Sequence, residues 1–346
     1  MNRRNFLGAL SLAASSFAFT SAAMAQDYTF RLHHFLGQQA PAQTKMLEPW
    51  AHAVEENSGG RVKIEIFPSM TLGGRPPELV QQARDGIVDL VWTVNGYTPG
   101  LYPRTEVMEL PTVYKNDPKA ANLALYDMFE SDLAQEYAGL EVMFLHVHAG
   151  QALQTGYLDV TSLDDLKGAK LRIPTRTGAW VIEALGATPV AMPVPELPPA
   201  LQKGVVDGAL IPWEIIPPLK IQDQTKYQIE LFDRERFGNT TFQVSMNQAR
   251  WDSLPEDIQQ AFRDASGREW WGQVGDIWRA SDDFGIKVAT DAGNTHRILT
   301  EEQTAPFVDA MQVVVDRWIE EVTSDSIDGA ALVEKARALV AENTAD

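Results

Sequence analysis

The chain has 346 residues, 45% of them apolar and 22% charged, an ordinary globular composition with enough length for two domains. A formal charge of −18, with no dense run of Lys and Arg, argues against a nucleic-acid backbone as partner. The complete lack of cysteine excludes disulfides, thiolate metal sites, iron–sulfur clusters, cysteine nucleophiles and a lipid-anchoring thiol.

Arg3 and Arg4, then Asn5-Phe6-Leu7, an apolar stretch from Gly8 to Ala23 and the small-residue site Ala23-Met24-Ala25 read as an export signal. Residues 1–25 are therefore expected to be removed, leaving Gln26 as the mature N-terminus. The arginine pair resembles a twin-arginine signal; an ordinary secretory signal is the alternative, and both lead to the periplasm. After it, no apolar run approaches the ~18 residues of a membrane helix, so a free, soluble mature protein is expected.

Tyr28 to Leu32 alternates as a strand, and Pro41 to Asn57 carries helical spacing up to Gly59-Gly60. Val62 to Phe67 alternates again, a helix fits Pro76 to Asp85, and Ile87 to Thr93 reads as a strand. Glu78-Leu79 followed by Gly86-Ile87-Val88-Asp89 recurs, at the same spacing, as Glu196-Leu197 followed by Gly204-Val205-Val206-Asp207. In each copy a proline-opened helix ends on a glycine and runs into a β-branched segment, which points to one unit used in two related domains. Between the copies lie a helix candidate from Lys119 to Tyr137, a strand from Glu141 to Val147 and a domain crossing at Ala149-Gly150. Leu171 to Pro174 reads as a strand, Arg236 to Asn239 as the return crossing, and Thr241 to Met246 as the next strand. A helical tract from Pro255 to about Asp291 is long enough to bridge domains, its tryptophans Trp270, Trp271 and Trp278 being read as core; Glu301 to Glu342 is helical with a polar break near Ser324 to Gly329. This βα alternation predicts parallel-rich sheets with ligands beyond the carboxyl ends of their strands.

Phe67-Pro68-Ser69, Glu109-Leu110-Pro111, Leu163-Asp164-Asp165-Leu166-Lys167-Gly168 with Lys170-Leu171-Arg172-Ile173-Pro174, Leu185-Gly186-Ala187-Thr188-Pro189, Met192-Pro193 and both copies of the repeat occur in one order. Together, over essentially the whole mature chain, they resemble the solute-binding subunits of tripartite ATP-independent periplasmic (TRAP) transporters, the DctP-like family. The resemblance implies an α/β, two-domain periplasmic-binding-protein (Venus flytrap) fold with chain crossovers and a long bridging helix. The expected division is 26–148 plus about 238–280 for domain I and 149–237 plus about 281–346 for domain II. It implies no enzyme and no cofactor. A small organic acid would be the ligand and integral-membrane TRAP subunits the partners, with an exported sensor component or a twin-arginine-exported enzyme as alternatives.

The family's carboxylate-binding arginine falls on Arg172, a role that suits a guanidinium's planar donor fork at a strand end. Gln151, or else Gln154, falls where some relatives place a second polar contact. The branch that binds 2-oxo acids through a cation carries an acid where this chain has Leu210, so no metal is expected, with Glu214 the sole substitute. His34, Trp92 and Tyr97 from one domain and Ile211 and Trp213 from the other are the remaining cleft candidates, which together suggest an apolar or aromatic ligand body. His146 and His148 have strand spacing compatible with a metal but lack an evident third ligand. Asp164 and Asp165 read as first-turn charges rather than a catalytic pair.

Overall fold

A computed structural model describes residues 27–344, so the proposed export signal and cleavage site lie outside the described residues. Eleven strands form two sheets among these residues. They are β1 Tyr28–His34, β2 Val62–Phe67, β3 Leu90–Val94, β4 Leu140–Val147, β5 Ala152–Thr155, β6 Lys170–Ile173, β7 Thr188–Ala191, β8 Gly208–Ile211, β9 Tyr227–Glu230, β10 Thr241–Asn247 and β11 Thr295–Ile298. The first sheet has the order β2-β1-β3-β10-β4, and the second β11-β9-β5-β8-β6-β7. β1 is parallel to β2 and β3, and β6 is parallel to β7 and β8. Each sheet takes in one strand that follows a crossing, β10 in the first and β5 in the second, and that strand runs antiparallel to both neighbours. Read from the β2 and β7 edges, the two sheets share one topology over five strands, and β11 adds a sixth to the second.

The sequence repeat explains this likeness. The helices Leu79–Arg84 and Leu197–Gln202 each follow a short proline-bearing turn, and each ends at a glycine of positive φ, Gly86 at 68° and Gly204 at 65°. An L side chain is disfavoured in that left-handed conformation, so glycine stops the helix and turns the chain toward the sheet. The aspartate that closes each copy does the same work twice. Asp89 Oδ2 accepts from the Arg31 amide at the side of β1, and Asp207 Oδ2 from the Lys170 amide of β6, both at 2.8 Å. Ile87 to Asp89 are occupied by this turn, so the strand begins at Leu90, three residues later than alternation alone predicts.

The tract from Pro255 is two helices, Glu256–Ala265 and Arg268–Asp291, interrupted at Ser266-Gly267. The second packs against the helix Pro118–Met128 beside the first sheet and against the turn Trp213–Ile215 after β8. Two glycines permit these approaches: a Cβ on Gly275 would lie 2.5 Å from the Lys119 backbone, and one on Gly285 2.0 Å from the Trp213 carbonyl oxygen. Helix Glu301–Val322 packs on Arg176–Ala184 beside β6, whereas the last helix, Gly329–Thr344, lies on Pro118–Met128. The C-terminal helix thus returns to the first sheet's layer, because Leu332, Val333, Ala336 and Val340 supply it with a buried apolar stripe. No described helix is long and apolar enough to cross a membrane.

Candidate functional site

The strand ends of both sheets converge on a cavity. Phe35 and Leu36 reach it from the end of β1, Trp92 from β3, Tyr97 from the turn that follows, Phe242 from β10 and Trp278 from the long helix. Arg172 reaches it from β6, Pro174 from just beyond, Ile211 from the end of β8, Glu214 and Ile215 from the next turn, and His148, Gln151 and Thr240 from the two crossings. Parallel strands aim their carboxyl ends at one crevice in both halves, which is why the site falls between them.

Its aromatic wall is a stack built on the first sheet. Trp92 lies 4.9 Å from Phe35 and 5.4 Å from Phe242, with interplanar angles of 11° and 4°. His146 fixes this wall from behind: the Trp92 indole N–H donates to its Nε2 at 2.9 Å, and that of Trp278 points at Nδ1 at 3.0 Å. Burial holds its pKa down at about 3, so the ring is neutral and accepts at one nitrogen only: with the Nδ1 proton facing the Val147 carbonyl at 3.2 Å, Nε2 accepts from Trp92, while Trp278 stacks on the ring at 5.4 Å. Among the described residues no cluster of three or more His, Asp or Glu side chains is arranged to hold a metal ion.

The cation is Arg172, only 2% exposed. Its Nε donates to the Met192 carbonyl at 2.9 Å and Nη1 to that of Leu210 at 3.2 Å, which fixes the plane of the guanidinium. Among the described residues Arg172 forms no ion pair; the Tyr97 hydroxyl and the more distant Glu196 are what offset the burial that weakens its hold on its proton. A buried charge without a counter-charge is costly, and an entering anion relieves that cost. Beside it, the Gly150 amide donates to His148 Nδ1 at 2.9 Å. Nδ1 is thereby an acceptor, which leaves the proton of the neutral ring on Nε2, and burial followed by the His146 and Arg236 neighbours keeps this ring neutral. Gln151 donates through Nε2 to Thr240 Oγ1 at 2.6 Å, while its buried Oε1 has no partner among the described residues.

Arg172, Gln151, Ile211, Tyr97 and Trp92 are thus brought together. Trp213 and His34 are not. Trp213 is wholly buried with its indole N–H donated to Glu230 at 2.6 Å, because the chain turns after Pro212 and swings the ring away from the cavity. His34 bonds Gln43 at 3.1 Å and sits edge-on behind Trp92, and the next residue, Phe35, takes the cavity face. Gln154 is buried on β5 within the second sheet. Asp165 closes a capping box with Ser162, and Asp164 pairs with Lys167 on the surface. Sequence reasoning missed His148, Thr240, Phe242 and Trp278 as cavity residues; Thr240 and Trp278 were signalled only by their places at the return crossing and on the bridging helix, Phe242 by its strand, and His148 by its spacing from His146.

The cleft is shut. The Val194 amide donates to the Tyr97 hydroxyl at 2.9 Å, Arg176 grips Glu106 through Nε and Nη2, and Thr177 Oγ1 donates to Glu109 Oε2 at 2.6 Å. At Gly96 a Cβ would lie 2.3 Å from Thr175 Cγ2, a clash that exists only with the two sides together. Gly96→Val is expected to weaken ligand affinity by at least about tenfold through opposing closure. Calorimetry should show this while the ligand-free melting temperature stays near that of the parent; equal affinity would contradict the role of this contact.

Glu109 Oε1 also accepts from the Thr241 amide and hydroxyl, at 3.0 and 2.9 Å. Burial, reinforced by Glu106, pushes its pKa up from 4.5 to about 7. An acid raised in the folded state binds its proton more tightly there than when unfolded, so its contribution favours the fold at low pH and is lost as pH climbs from 4.5 to about 7. Glu136, pushed up to about 7 by burial, acts in the same sense. Urea unfolding at about pH 5 and about pH 8 should show a smaller loss of stability in Glu109→Gln than in the parent.

Two α/β halves of matching topology closed over a cavity that holds an unpaired cation define a solute-binding protein. The sequence matches the bacterial extracellular solute-binding protein family 7 (DctP) over residues 32–321, and the chain belongs to that family. A TRAP solute-binding protein from Rhodoferax ferrireducens, crystallised with copurified benzoate, is 35% identical with a TM-score of 0.88 over 92% of this chain and 98% of that one. A marine metagenome TRAP solute-binding protein specific for aromatic acid ligands, in complex with 3-hydroxybenzoate, is 35% identical with a TM-score of 0.89 over 92% and 99%. An ectoine/5-hydroxyectoine-binding periplasmic protein of Ruegeria pomeroyi is 28% identical over 94% of this chain and 95% of the relative. The chain is accordingly a periplasmic solute-binding protein that works with TRAP membrane subunits, and not an enzyme.

Proposed function

We propose that this protein captures a small aromatic carboxylate, binding its carboxylate through Arg172 and its ring between Trp92, Phe35, Phe242 and Trp278, and presents the closed complex to the membrane subunits. The observation that carries the reading is a buried guanidinium without a carboxylate partner, lining a cavity that is also walled by stacked rings. The His148 Nε2–H and the Gln151 amide are further groups for the same anion, and Tyr97 joins guanidinium to closure through its bond from Val194. The benzoate and 3-hydroxybenzoate complexes of proteins 35% identical over nine-tenths of this chain support the same ligand class.

Domain I is drawn as 26–148 with 238–280 and domain II as 149–237 with 281 onward, except that the final helix docks on domain I. The hinge is where the crossings run side by side: the Gln151 amide donates to Gly238 and that of Phe237 to Gln151. Closure is driven by contacts that the ligand makes with both halves at once, the differential affinity such a shift needs. A thermal-shift screen of mono- and dicarboxylates, aromatic acids, 2-oxo acids and sulfonates tests this. Aromatic monocarboxylates should give the largest stabilisation, and a response confined to aliphatic dicarboxylates or sulfonates would overturn the reading.

A further inference from the structure

One polar group in the cavity has no task in gripping a carboxylate. Glu214 is the middle residue of the turn Trp213–Ile215 after β8, 5% exposed, with its Oε2 buried and unpartnered among the described residues. Its backbone is held in place by the long helix, which packs against this turn and whose Asp282 accepts from the Trp213 amide just before it at 3.0 Å. Arg236, whose charge acts on Glu214 through space, makes its own bonds elsewhere: it donates to Asp282 at 2.6 Å, to Glu230 at 2.9 Å, and to the Gly150 and Arg234 carbonyls. A buried acceptor left unpaired costs ~1–3 kcal/mol, so a group that persists in an otherwise apolar wall calls for a partner that arrives with the ligand.

Resting on the aromatic-carboxylate reading, we propose that Glu214 determines specificity by hydrogen-bonding a hydroxyl on the ligand's ring, so that the preferred ligand is a hydroxylated aromatic acid rather than an unsubstituted one. Arg172 and His148 offer N–H donors to the carboxylate, and Gln151, tied to Thr240 through Nε2, keeps an unpartnered Oε1 at the crossing; Glu214 adds acceptor capacity on the turn after β8, in a lining that also includes Phe35, Trp92, Phe242 and Trp278. Burial, and after it the charge of Asp282, pushes the Glu214 pKa well above the usual carboxylate range, which favours the neutral acid. A neutral carboxyl does not repel the ligand's carboxylate, and it both accepts from and donates to a phenolic hydroxyl. Sites that pair a ligand hydroxyl discriminate against the analogue lacking it, because their own polar atom is then stranded.

The test is the ratio of dissociation constants for benzoate against meta- and para-hydroxybenzoate, measured by calorimetry on the protein and on Glu214→Leu and Glu214→Gln. The parent should bind one hydroxybenzoate at least about tenfold more tightly than benzoate. That ratio should collapse to near one in Glu214→Leu and survive at least in part in Glu214→Gln, whose amide keeps an acceptor and a donor. A ratio near one in the parent, or one that persists in Glu214→Leu, overturns the proposal while leaving the aromatic-carboxylate reading standing. Should Glu214→Leu not fold, the parent's own ratio decides. Failure of benzoate and both hydroxybenzoates to bind would overturn that reading and the proposal with it.

Discussion

Arg172→Ala is expected to weaken binding of an aromatic carboxylate by about 10- to 150-fold, the loss of a charge-assisted contact of ~1.5–3 kcal/mol. The fold should tolerate the change. Arg172 holds no acidic partner among the described residues, and its two fixed bonds go to the carbonyls of Met192 and Leu210, so removing it deletes a buried charge rather than stranding one. The expected signature is therefore split: unchanged or slightly higher thermal stability without ligand, and loss of the ligand-induced rise. Arg172→Lys keeps the charge but not the planar fork, and should recover only part of the affinity. Affinity for Arg172→Ala within twofold of the parent would remove the anchor from this account.

The opposite pattern is expected at Arg236. Its side chain and those of Glu230 and Asp282 are fully buried, and Nη2 lies 2.9 Å from Glu230 and 2.6 Å from Asp282. Trp213 is bound to both acids, to Glu230 through its indole and to Asp282 through its amide. Gly150, against the Arg236 stem, has a φ of 94° and no room for a Cβ, which would lie 2.5 Å from Arg236 Cγ. Arg236→Ala leaves two buried carboxyls without their shared cation and should cost about 3–5 kcal/mol in urea unfolding. This network joins the return crossing to the long helix, so the same variant should also loosen the hinge and make closure less cooperative. A loss below about 1 kcal/mol would show that His296 and Arg234, both on Glu230, suffice to hold the network together.

The sequence carried the pseudo-repeat because its punctuation is physical: prolines open Leu79–Arg84 and Leu197–Gln202, and glycines at positive φ close them. What it concealed was the identity of the short strands. β5, β9 and β11 are four residues each, shorter than the period needed to distinguish alternation from chance, and they exist because of their neighbours across the sheet. The order of motifs pointed to Arg172, whereas residue-level pointing failed at two places for geometric reasons. At the end of β1 the strand's alternation turns His34 to Gln43 and leaves Phe35 for the cavity; after β8 the turn at Pro212 rotates Trp213 into the core and brings Glu214 forward. Trp278 was hidden by its helical period, which marks a buried face without saying whether that face meets core or cavity. His148 was visible as one of a histidine pair, but its role depends on the Gly150 amide that sets its tautomer, a contact created by the crossing itself.

Isothermal titration with benzoate at several temperatures is the sharpest test of the proposed binding of one aromatic carboxylate in the closed cavity between the two halves. One molecule should bind per chain with a negative heat-capacity change, as the ring and the stacked wall of Trp92, Phe35 and Phe242 leave water and the cleft shuts. Absence of saturable heat with any aromatic carboxylate, together with saturable binding of an aliphatic dicarboxylate, would contradict it.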